Sequence, residues 1–185
     1  KRLRPVLFLA WHELFADIDE YALEYACGIE ILHSYSLIHD DMPCMDNDDL
    51  RRGKPSVHKR YGEGAALLAG DALLDLAYRI LYAPTARCEK TPLTMTYAPF
   101  GDNGLIHGQY LDLFGNINSL DDLLKVHALK TGALISFACT SGSTIGRCML
   151  YKAENDLVYS TGGDCAPIIK DRSDYSDGYS AAVSF

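Results

Sequence analysis

The feature that most constrains the fold of this chain is a helical stripe that ends in a group of aspartates. Six residues follow one another at intervals of three and four, a spacing that places side chains on one face of an α-helix: Ala22, Ala26, Ile29, His33, Ser36 and Asp40. Asp17 or Asp19 is a candidate N-cap. Pro43 ends or kinks the helix, because proline lacks a backbone N–H and disfavours helix in the residue before it.

Two further segments have the composition or spacing of helices. Residues 63–81 are rich in Ala and Leu and hold Asp71 within an otherwise apolar segment, where we expect a structural role for that residue. A helix that begins near Asn103 carries Gln109 and Asp112 on one face. These two residues could form no more than a local pair on that helix, or they could both point toward a site.

A last helix is predicted from about residue 120 to residue 146. Ser119 is its candidate cap, and Asp121 and Asp122 follow at the positive end of the helix. No segment of the chain shows sustained two-residue alternation, which argues against a sheet. The sequence therefore predicts a helical bundle.

The composition is that of a globular protein with an acidic surface. Hydrophobic residues make up 48% of the 185 residues and charged residues 23%, which suits one domain with a sizeable core. No apolar run approaches the roughly 20 residues that span a bilayer. The net charge of −8 argues against general binding of nucleic acid or anionic lipid. The six cysteines include no Cys-x-x-Cys pair, which favours reduced cysteines over a disulfide framework.

The start of the chain and two other stretches lack a clear pattern. Residues 1–10 are basic and then apolar, but they do not continue into a signal peptide, and no Met stands at position 1. Residues 83–102 and 152–185 have no helical period, so they are loops or places where residues of the natural protein are missing. The chain is predicted to be a single domain over residues 1–185 that is incomplete at both ends.

The segment with the clearest chemistry is residues 37–55, in which five aspartates fall within ten residues and two arginines follow. Clustered carboxylates raise one another's pKa unless a cation lies among them. Their oxygen atoms suit Mg²⁺, and arginine matches the oxygens of a phosphate. The segment therefore indicates a diphosphate site, with a solvated acidic loop as the alternative. Asp46 can share the face of Asp40 only if the break at Pro43 brings it back.

Four motifs, in this order along the chain, resemble those of the polyprenyl synthetase family, the isoprenyl diphosphate synthases. The segments are Lys-Arg-Leu-Arg-Pro at 1–5, Asp-Asp-Met-Pro-Cys-Met-Asp at 40–46 with Arg-Arg-Gly at 51–53, Gly-Gln-Tyr-Leu-Asp-Leu at 108–113 and Lys-Thr-Gly-Ala-Leu at 130–134. The resemblance covers roughly residues 1–82 and 103–147. It implies an all-α fold, an antiparallel helical bundle of the isoprenoid synthase type around a central cavity.

The resemblance also implies a role for each residue at a matching position. The implied catalytic residues are Asp40, Asp41 and Asp46, which hold Mg²⁺, and Lys130, which faces the developing cation. The residues implied to bind isopentenyl diphosphate are Lys1, Arg4, His33 and Arg52. Those implied to act around the allylic diphosphate are Arg51, Gln109 and Thr131, with Asp112 supporting the metal ligands. Lys130 has two structural alternatives, which are the capping of a backbone carbonyl and an ion pair with Asp121 or Asp122.

The implied reaction joins isopentenyl diphosphate head to tail to an allylic diphosphate. Tyr35 and Ser36 lie five and four residues before Asp40, and in this family a bulky ring there stops chain growth early. A C15 product is therefore favoured over C20. The family further implies a homodimer. The reduced cysteines favour a cytoplasmic location, and the acidic net charge predicts no nucleic-acid partner.

One departure from the family leaves other interpretations open. The family's second aspartate-rich motif is not found, and residues 168–171 are only a faint echo of it. Either residues are missing from the sequence, which we favour, or the chain is a non-catalytic regulatory subunit of a heteromeric synthase. A non-enzymatic helical scaffold with an acidic loop is the alternative from another class. A terpene cyclase would not need Lys1, Arg4 and Arg52 for a second diphosphate.

Overall fold

The computed structural model describes residues 2–82 and 100–160, with the backbone alone for residues 149–160. The predictions that lie outside the described residues are those for Lys1, for residues 83–99 and for residues 161–185, including the faint second aspartate motif. The chain divides into two compact units, Lys1–Tyr151 and Lys152–Phe185. The core and the site described below belong to the first unit.

The described elements are helices and one short ribbon, which confirms the all-α prediction. The helices are α1 (Leu3–Glu13), α2 (Glu20–Asp40), α3 (Val57–Tyr61), α4 (Glu63–Leu81), α5 (Leu105–Phe114), α6 (Leu120–His127) and α7 (Ala133–Ser160), with a π-helical turn (Ala128–Gly132) between α6 and α7. The strands are β1 (Leu50–Arg51) and β2 (Lys54–Pro55). None of the helices in the described part of the chain combines the length and the apolar character needed to cross a membrane.

Helix α2 is the long predicted helix, and a side-chain cap sets its start. Asp19 accepts a hydrogen bond from the backbone N–H of Ala22 at 2.9 Å, which satisfies one of the free N–H groups of the first turn. The helix ends at Asp40, three residues before Pro43. Ala22 and Ile29 of the predicted stripe are fully buried, and α2 packs against both α1 and α4.

The start of α6 is fixed by a reciprocal pair of hydrogen bonds. The hydroxyl of Ser119 accepts from the N–H of Asp122 at 3.1 Å, and the carboxylate of Asp122 accepts from the N–H of Ser119 at 3.0 Å. The predicted helix over 120–146 is interrupted by the π-helical turn Ala128–Gly132. Turns of this kind are rare and often occur at functional sites.

Two helices, α1 and α3, were not predicted from the sequence, and the prediction that no sheet forms was wrong for the β1–β2 ribbon. The ribbon is antiparallel, with Leu50 opposite Pro55 and Arg51 opposite Lys54. Its strands are too short to show alternation in the sequence. Arg52 and its neighbour glycine both have positive φ, 54° and 78°, as a two-residue turn of type I′ requires.

The core lies among α1, α2, α4 and α7. Phe8 stacks on Tyr25 with ring centroids 5.0 Å apart, and Phe137 meets Phe100 edge to face at 5.0 Å. Tyr25 and Phe137 are also neighbours, at 6.4 Å. Aromatic pairs with these geometries stabilise a fold beyond the area that they bury. The cluster therefore holds α1 and α7 against α2, the helix that ends in Asp40.

Candidate active site

The loop after α2 folds back over the end of the helix. The backbone N–H of Asp46 donates to the carbonyl of Asp40 at 3.0 Å, and that of Asp48 donates to the carbonyl of Asp41 at 3.2 Å. Asn47 takes a left-handed conformation, φ 55°, which asparagine tolerates better than most residues. The turn that begins near Pro43 thus returns Asp46 to Asp40.

Asp40 is the centre of a cluster of charged and polar groups from three elements. The side-chain amide of Gln109, on α5, donates to Asp40. The ammonium group of Lys130, in the π-helical turn, lies 3.6 Å from Asp40, 4.0 Å from Asp46 and 2.5 Å from Asp112. Lys130 therefore pairs with carboxylates across the site and not with Asp121 or Asp122 on its own helix. Gln109 and Asp112 likewise reach other elements and do not merely pair with each other.

The close approach of α5 to the π-helical turn depends on Gly108. A Cβ atom built on Gly108 would lie 2.6 Å from the Cα atom of Lys130 and 2.7 Å from the carbonyl carbon of Leu129. No side chain fits there without moving one of the two backbones. The absence of a side chain at this position lets Gln109 and Lys130 reach the same carboxylate.

The surroundings of Asp40 and Lys130 shift the pKa values of both groups upward. Burial raises the pKa of Asp40, and the nearby Asp46 raises it further, although Lys130 and Arg51 act in the opposite direction. Burial tends to lower the pKa of Lys130, but its hydrogen bond to Asp112 and the charge of Asp40 outweigh that effect and raise it. Asp40 and Asp46 repel each other in this partly buried site, so a further cation between them would stabilise both carboxylates.

Asp41 is more deeply buried than Asp40 and is engaged by Arg51. Its side chain is 4% exposed, against 14% for Asp40. The guanidinium of Arg51, from strand β1, donates to both oxygens of Asp41, with the Nε atom at 2.9 and 3.1 Å. The hydrogen bond to Asp41 raises the pKa of Arg51. Arg51 also lies 3.9 Å from Asp40 and 3.7 Å from Asp48.

A cavity of about 510 Å³ opens beside this cluster. At one side it is lined by Arg4, His33 and Thr131, which the sequence analysis assigned to the substrates. Tyr35 and Ser36, the predicted chain-length residues, also line it. Much of the apolar wall comes from residues of α4 and α5 to which the sequence analysis assigned no role: Leu74, Leu105, Ile106, Leu113 and Phe114.

Cationic groups around His33 give the cavity a second polar region. Burial lowers the pKa of His33 to about 4, and the charges of Arg4, Arg52 and Arg51 act in the same direction. Burial also lowers the pKa of Arg4, whose Nε atom is buried without a hydrogen-bond partner. An anion bound here would interact favourably with the guanidinium of Arg4. Arg52 itself is exposed in the β1–β2 turn.

Three residues near the cavity were missed or misjudged from the sequence. Glu30 forms an ion pair with Arg2 at 2.9 Å, and its charge partly opposes the lowering of the pKa of Arg4 by burial. His39, next to Asp40, lines the cavity. Asp71 was expected in a buried setting, but its side chain is 60% exposed and also lines the cavity. An apolar context in the sequence does not reveal on which face of a helix a single polar residue lies.

The donor set at Asp40 fits Mg²⁺. No three potential ligands among the described residues are already arranged around one point. However, Asp46 lies close enough to Asp40 to raise its pKa, and a divalent ion between the two carboxylates would remove that repulsion. Carboxylate oxygens at the mouth of a cavity, with room for a phosphate, are typical ligands of Mg²⁺. Asp41 accepts hydrogen bonds from Arg51 on both oxygens, so a metal ion bound there would share this carboxylate with the guanidinium.

Comparison with known proteins gives the same assignment as the motifs. A model of the polyprenyl synthetase family matches residues 1–164. The large subunit 1 of a heterodimeric geranylgeranyl pyrophosphate synthase from Arabidopsis thaliana is 42% identical over 79% of this chain and 42% of its own length. A farnesyl diphosphate synthase from Geobacillus stearothermophilus is 39% identical over 79% of this chain and 52% of its own. The chain thus spans about half or less of the length of these curated relatives.

Comparison with solved structures supports the same family. The apo crystal structure of an FPP/GFPP synthase from Zymomonas mobilis is 34% identical, covers 98% of this chain and 75% of its own, and superposes with a TM-score of 0.71. A geranyltransferase from Helicobacter pylori is 36% identical over 80% of this chain and 54% of its own, also with a TM-score of 0.71. The motifs, the helical fold and these matches agree that the chain belongs to the polyprenyl synthetase family.

Proposed function

We propose that this chain is a Mg²⁺-dependent prenyltransferase, which condenses isopentenyl diphosphate with an allylic diphosphate to a short-chain prenyl diphosphate. The observation that carries the proposal is the cluster at Asp40. Carboxylates from the α2 end and cationic groups from the ribbon and the π-helical turn meet there, at the edge of a cavity with an apolar wall. Such a site suits a molecule with a charged head and a hydrocarbon tail.

In this proposal Asp40, Asp41 and Asp46 would hold Mg²⁺, and Asp112 would support these ligands. The bound ion would neutralise the diphosphate as it departs. Arg51 and Lys130 stand beside the same carboxylates, where their charges stabilise the leaving group. Arg4, His33 and Arg52, together with Lys1, bind the diphosphate of the second substrate.

The C–O bond of the allylic diphosphate breaks and leaves an allylic carbocation in the cavity. The double bond of isopentenyl diphosphate attacks that cation and forms the new C–C bond. A proton is then lost to the released diphosphate, which completes the balance of atoms and charge. Gln109 and Thr131 line the cavity and orient the allylic substrate. The apolar residues of α5 keep water away from the cation.

We further propose a C15 product, as the position of Tyr35 suggests. Its ring is 7% exposed and lines the cavity, so that it limits the space open to a growing chain; Ser36 lines the cavity beside it. The relatives include both geranylgeranyl and farnesyl synthases, and a product assay distinguishes the two lengths. The single domain, the homodimer and the cytoplasmic location stay predictions.

A product assay tests the proposal. The chain is mixed with Mg²⁺, isopentenyl diphosphate and geranyl diphosphate, and the prenyl products are separated by length. We expect a C15 product, its loss on chelation of the metal, and a fall in kcat/KM of about a thousandfold or more for Asp40→Ala. Asp75→Ala is the matched control, since Asp75 is exposed on α4 and pairs only with Arg79 among the described residues.

The alternatives predict different results. A regulatory subunit would form no product alone, but would still bind isopentenyl diphosphate and would change the product of an active synthase. A non-enzymatic scaffold would bind no prenyl diphosphate, with or without Mg²⁺. Either result would replace the proposed activity.

A further inference from the structure

We propose that His39 is a second determinant of prenyl chain length, because it holds the ring of Tyr35 in place at the cavity wall. This inference rests on the proposed function and adds a specificity-determining residue to it. Both side chains line the same cavity. His39 has no assigned role in the catalytic cluster, although it directly precedes Asp40 in the sequence.

The ring of Tyr35 rests on the ring of His39. The two centroids are 5.6 Å apart and the planes meet at 85°, an edge-to-face contact. This arrangement is favourable for aromatic rings and has a defined geometry. Both residues lie on α2, one turn apart, so the contact is part of the helix surface that faces the cavity.

His39 is in turn fixed by helix α4. Its Nε2 atom lies 3.1 Å from the backbone carbonyl oxygen of Leu67. A carbonyl only accepts, so Nε2 carries the hydrogen and donates it. The carboxylate of Asp71 lies 3.8 Å from the same nitrogen. The tautomer and the orientation of the ring are therefore set by α4, and not by α2 alone.

The fit between His39 and α4 leaves no room for movement of the ring toward the helix. A Cβ atom built on Gly70 would overlap the imidazole, with even the more distant Cε1 atom at 2.9 Å. The ring thus packs directly on the backbone of α4. Tyr35 has a rigid neighbour, and the space behind its ring opens only if the imidazole is removed.

The rings of Tyr35 and His39 together would form the barrier that limits the length of the prenyl chain. Removal of the Tyr35 ring would extend the cavity directly. Removal of the His39 ring would let Tyr35 turn into the vacated space and extend the cavity indirectly. If His39 acts in this way, its removal has little effect once the Tyr35 ring is gone, and the two substitutions are not additive.

A double-mutant cycle tests this coupling on the whole 185-residue chain. The variants are Tyr35→Ala, His39→Ala and the double substitution, and the probes are the S-thiolodiphosphate analogues of geranyl (C10) and geranylgeranyl (C20) diphosphate with Mg²⁺. Calorimetry gives the ratio of the two affinities for each protein. We expect each single substitution to raise the C20-to-C10 ratio about tenfold, and His39→Ala to change it less than about twofold when Tyr35 is already Ala.

Two further variants distinguish the expected effect from misfolding and from nonspecific effects of a substitution. His39→Gln removes the ring but keeps a donor for the carbonyl of Leu67, and we expect it to raise the ratio as His39→Ala does. His127→Ala removes an exposed histidine of α6 and should leave the ratio unchanged. Circular dichroism confirms that each variant is folded.

The outcomes separate the inference from the proposed function. If the wild type binds the analogues and the His39 variants leave the ratio unchanged, the inference is wrong and the function stands. The same holds if His39→Ala has its full effect in the Tyr35→Ala background, because His39 would then act by its own bulk. If the wild type binds neither analogue, the proposed function fails, and the inference fails with it.

Discussion

His33 lies at the polar end of α2, and its ring is surrounded by charges from three elements. Arg4 comes from α1, Glu30 from the preceding turn of α2, and Arg51 and Arg52 from the ribbon. Burial and the three arginines lower its pKa to about 4, and only Glu30 opposes them. The folded protein therefore holds a neutral histidine where an unfolded chain, with an ordinary pKa near 6.5, would bind a proton.

This shift predicts how stability depends on pH. Above pH 6.5 the histidine is neutral in both states and has no effect. As the pH falls toward 4, the unfolded state takes up the proton first, so the free energy of unfolding falls. Solvent screening reduces the effect, because the ring is only half buried. We expect a loss of about 1 kcal/mol from this residue between pH 7 and pH 5.

Urea unfolding at both pH values measures that loss, with His33→Gln as the comparison. The variant lacks the titrating ring, while the carboxylates that titrate in both proteins contribute equally. The wild type should lose about 1 kcal/mol more than the variant. Equal losses would show that His33 has an ordinary pKa in the folded state.

The sequence predicted which residues belong to the site better than it predicted the groups with which they pair. The motifs indicated Asp40, Gln109 and Lys130, and all three meet in the structure. The sequence could not decide whether Lys130 pairs with a carboxylate on its own helix or with Asp40, which is far away along the chain. The pairing of Lys130 depends on the π-helical turn, because this turn changes the direction in which side chains leave the helix. Such a turn has no recognisable pattern in the sequence.

At the scale of elements, strong local signals predicted the helices well. An N-cap preceded both α2 and α6, and α4 begins and ends at the predicted residues 63 and 81. The helices that were missed, α1 and α3, have no side-chain cap hydrogen bond. Their positions depend on tertiary packing, which single-sequence propensities do not contain.

The crossing of α5 and the π-helical turn provides a test at this scale. Gly108→Ala places a methyl group 2.6 Å from the Cα atom of Lys130, so one backbone must move. We expect a loss of about 1–3 kcal/mol in the free energy of unfolding. Activity should fall as well, because Gln109 and Lys130 would no longer reach Asp40 together. Thermal unfolding and the product assay measure the two effects.

Gly64→Ala is the control for this substitution. Gly64 lies in the first turn of α4, and a Cβ atom there would meet nothing within 4 Å. Alanine favours helix over glycine, so this variant should be as stable as the wild type or up to about 1 kcal/mol more stable. If Gly108→Ala behaved in the same way, the close approach of the two backbones would not limit the site.

At the scale of the whole molecule, the site and the core share the same helices. Leu134 lies one turn after Lys130 and is fully buried in the core cluster, together with Phe8 of α1 and Ile29 of α2. The packing that stabilises the fold therefore also fixes the end of α2 and the π-helical turn. A substitution that weakens the packing of the core should therefore also disturb the site, even though no charged residue is changed.

Leu134→Ala tests this dependence, with Leu68→Ala as a substitution of the same kind on the surface. Leu134 is fully buried, whereas Leu68 on α4 is 69% exposed. Loss of the buried side chain should reduce the free energy of unfolding by about 2–5 kcal/mol, against about 0.5 kcal/mol or less for the surface variant. Because Lys130 is held by the helix that Leu134 anchors, Leu134→Ala should also weaken binding of the C10 analogue at temperatures where it is still folded. Equal stability of the two variants would mean that α7 is not anchored by this core, and unchanged binding would mean that the site does not depend on it.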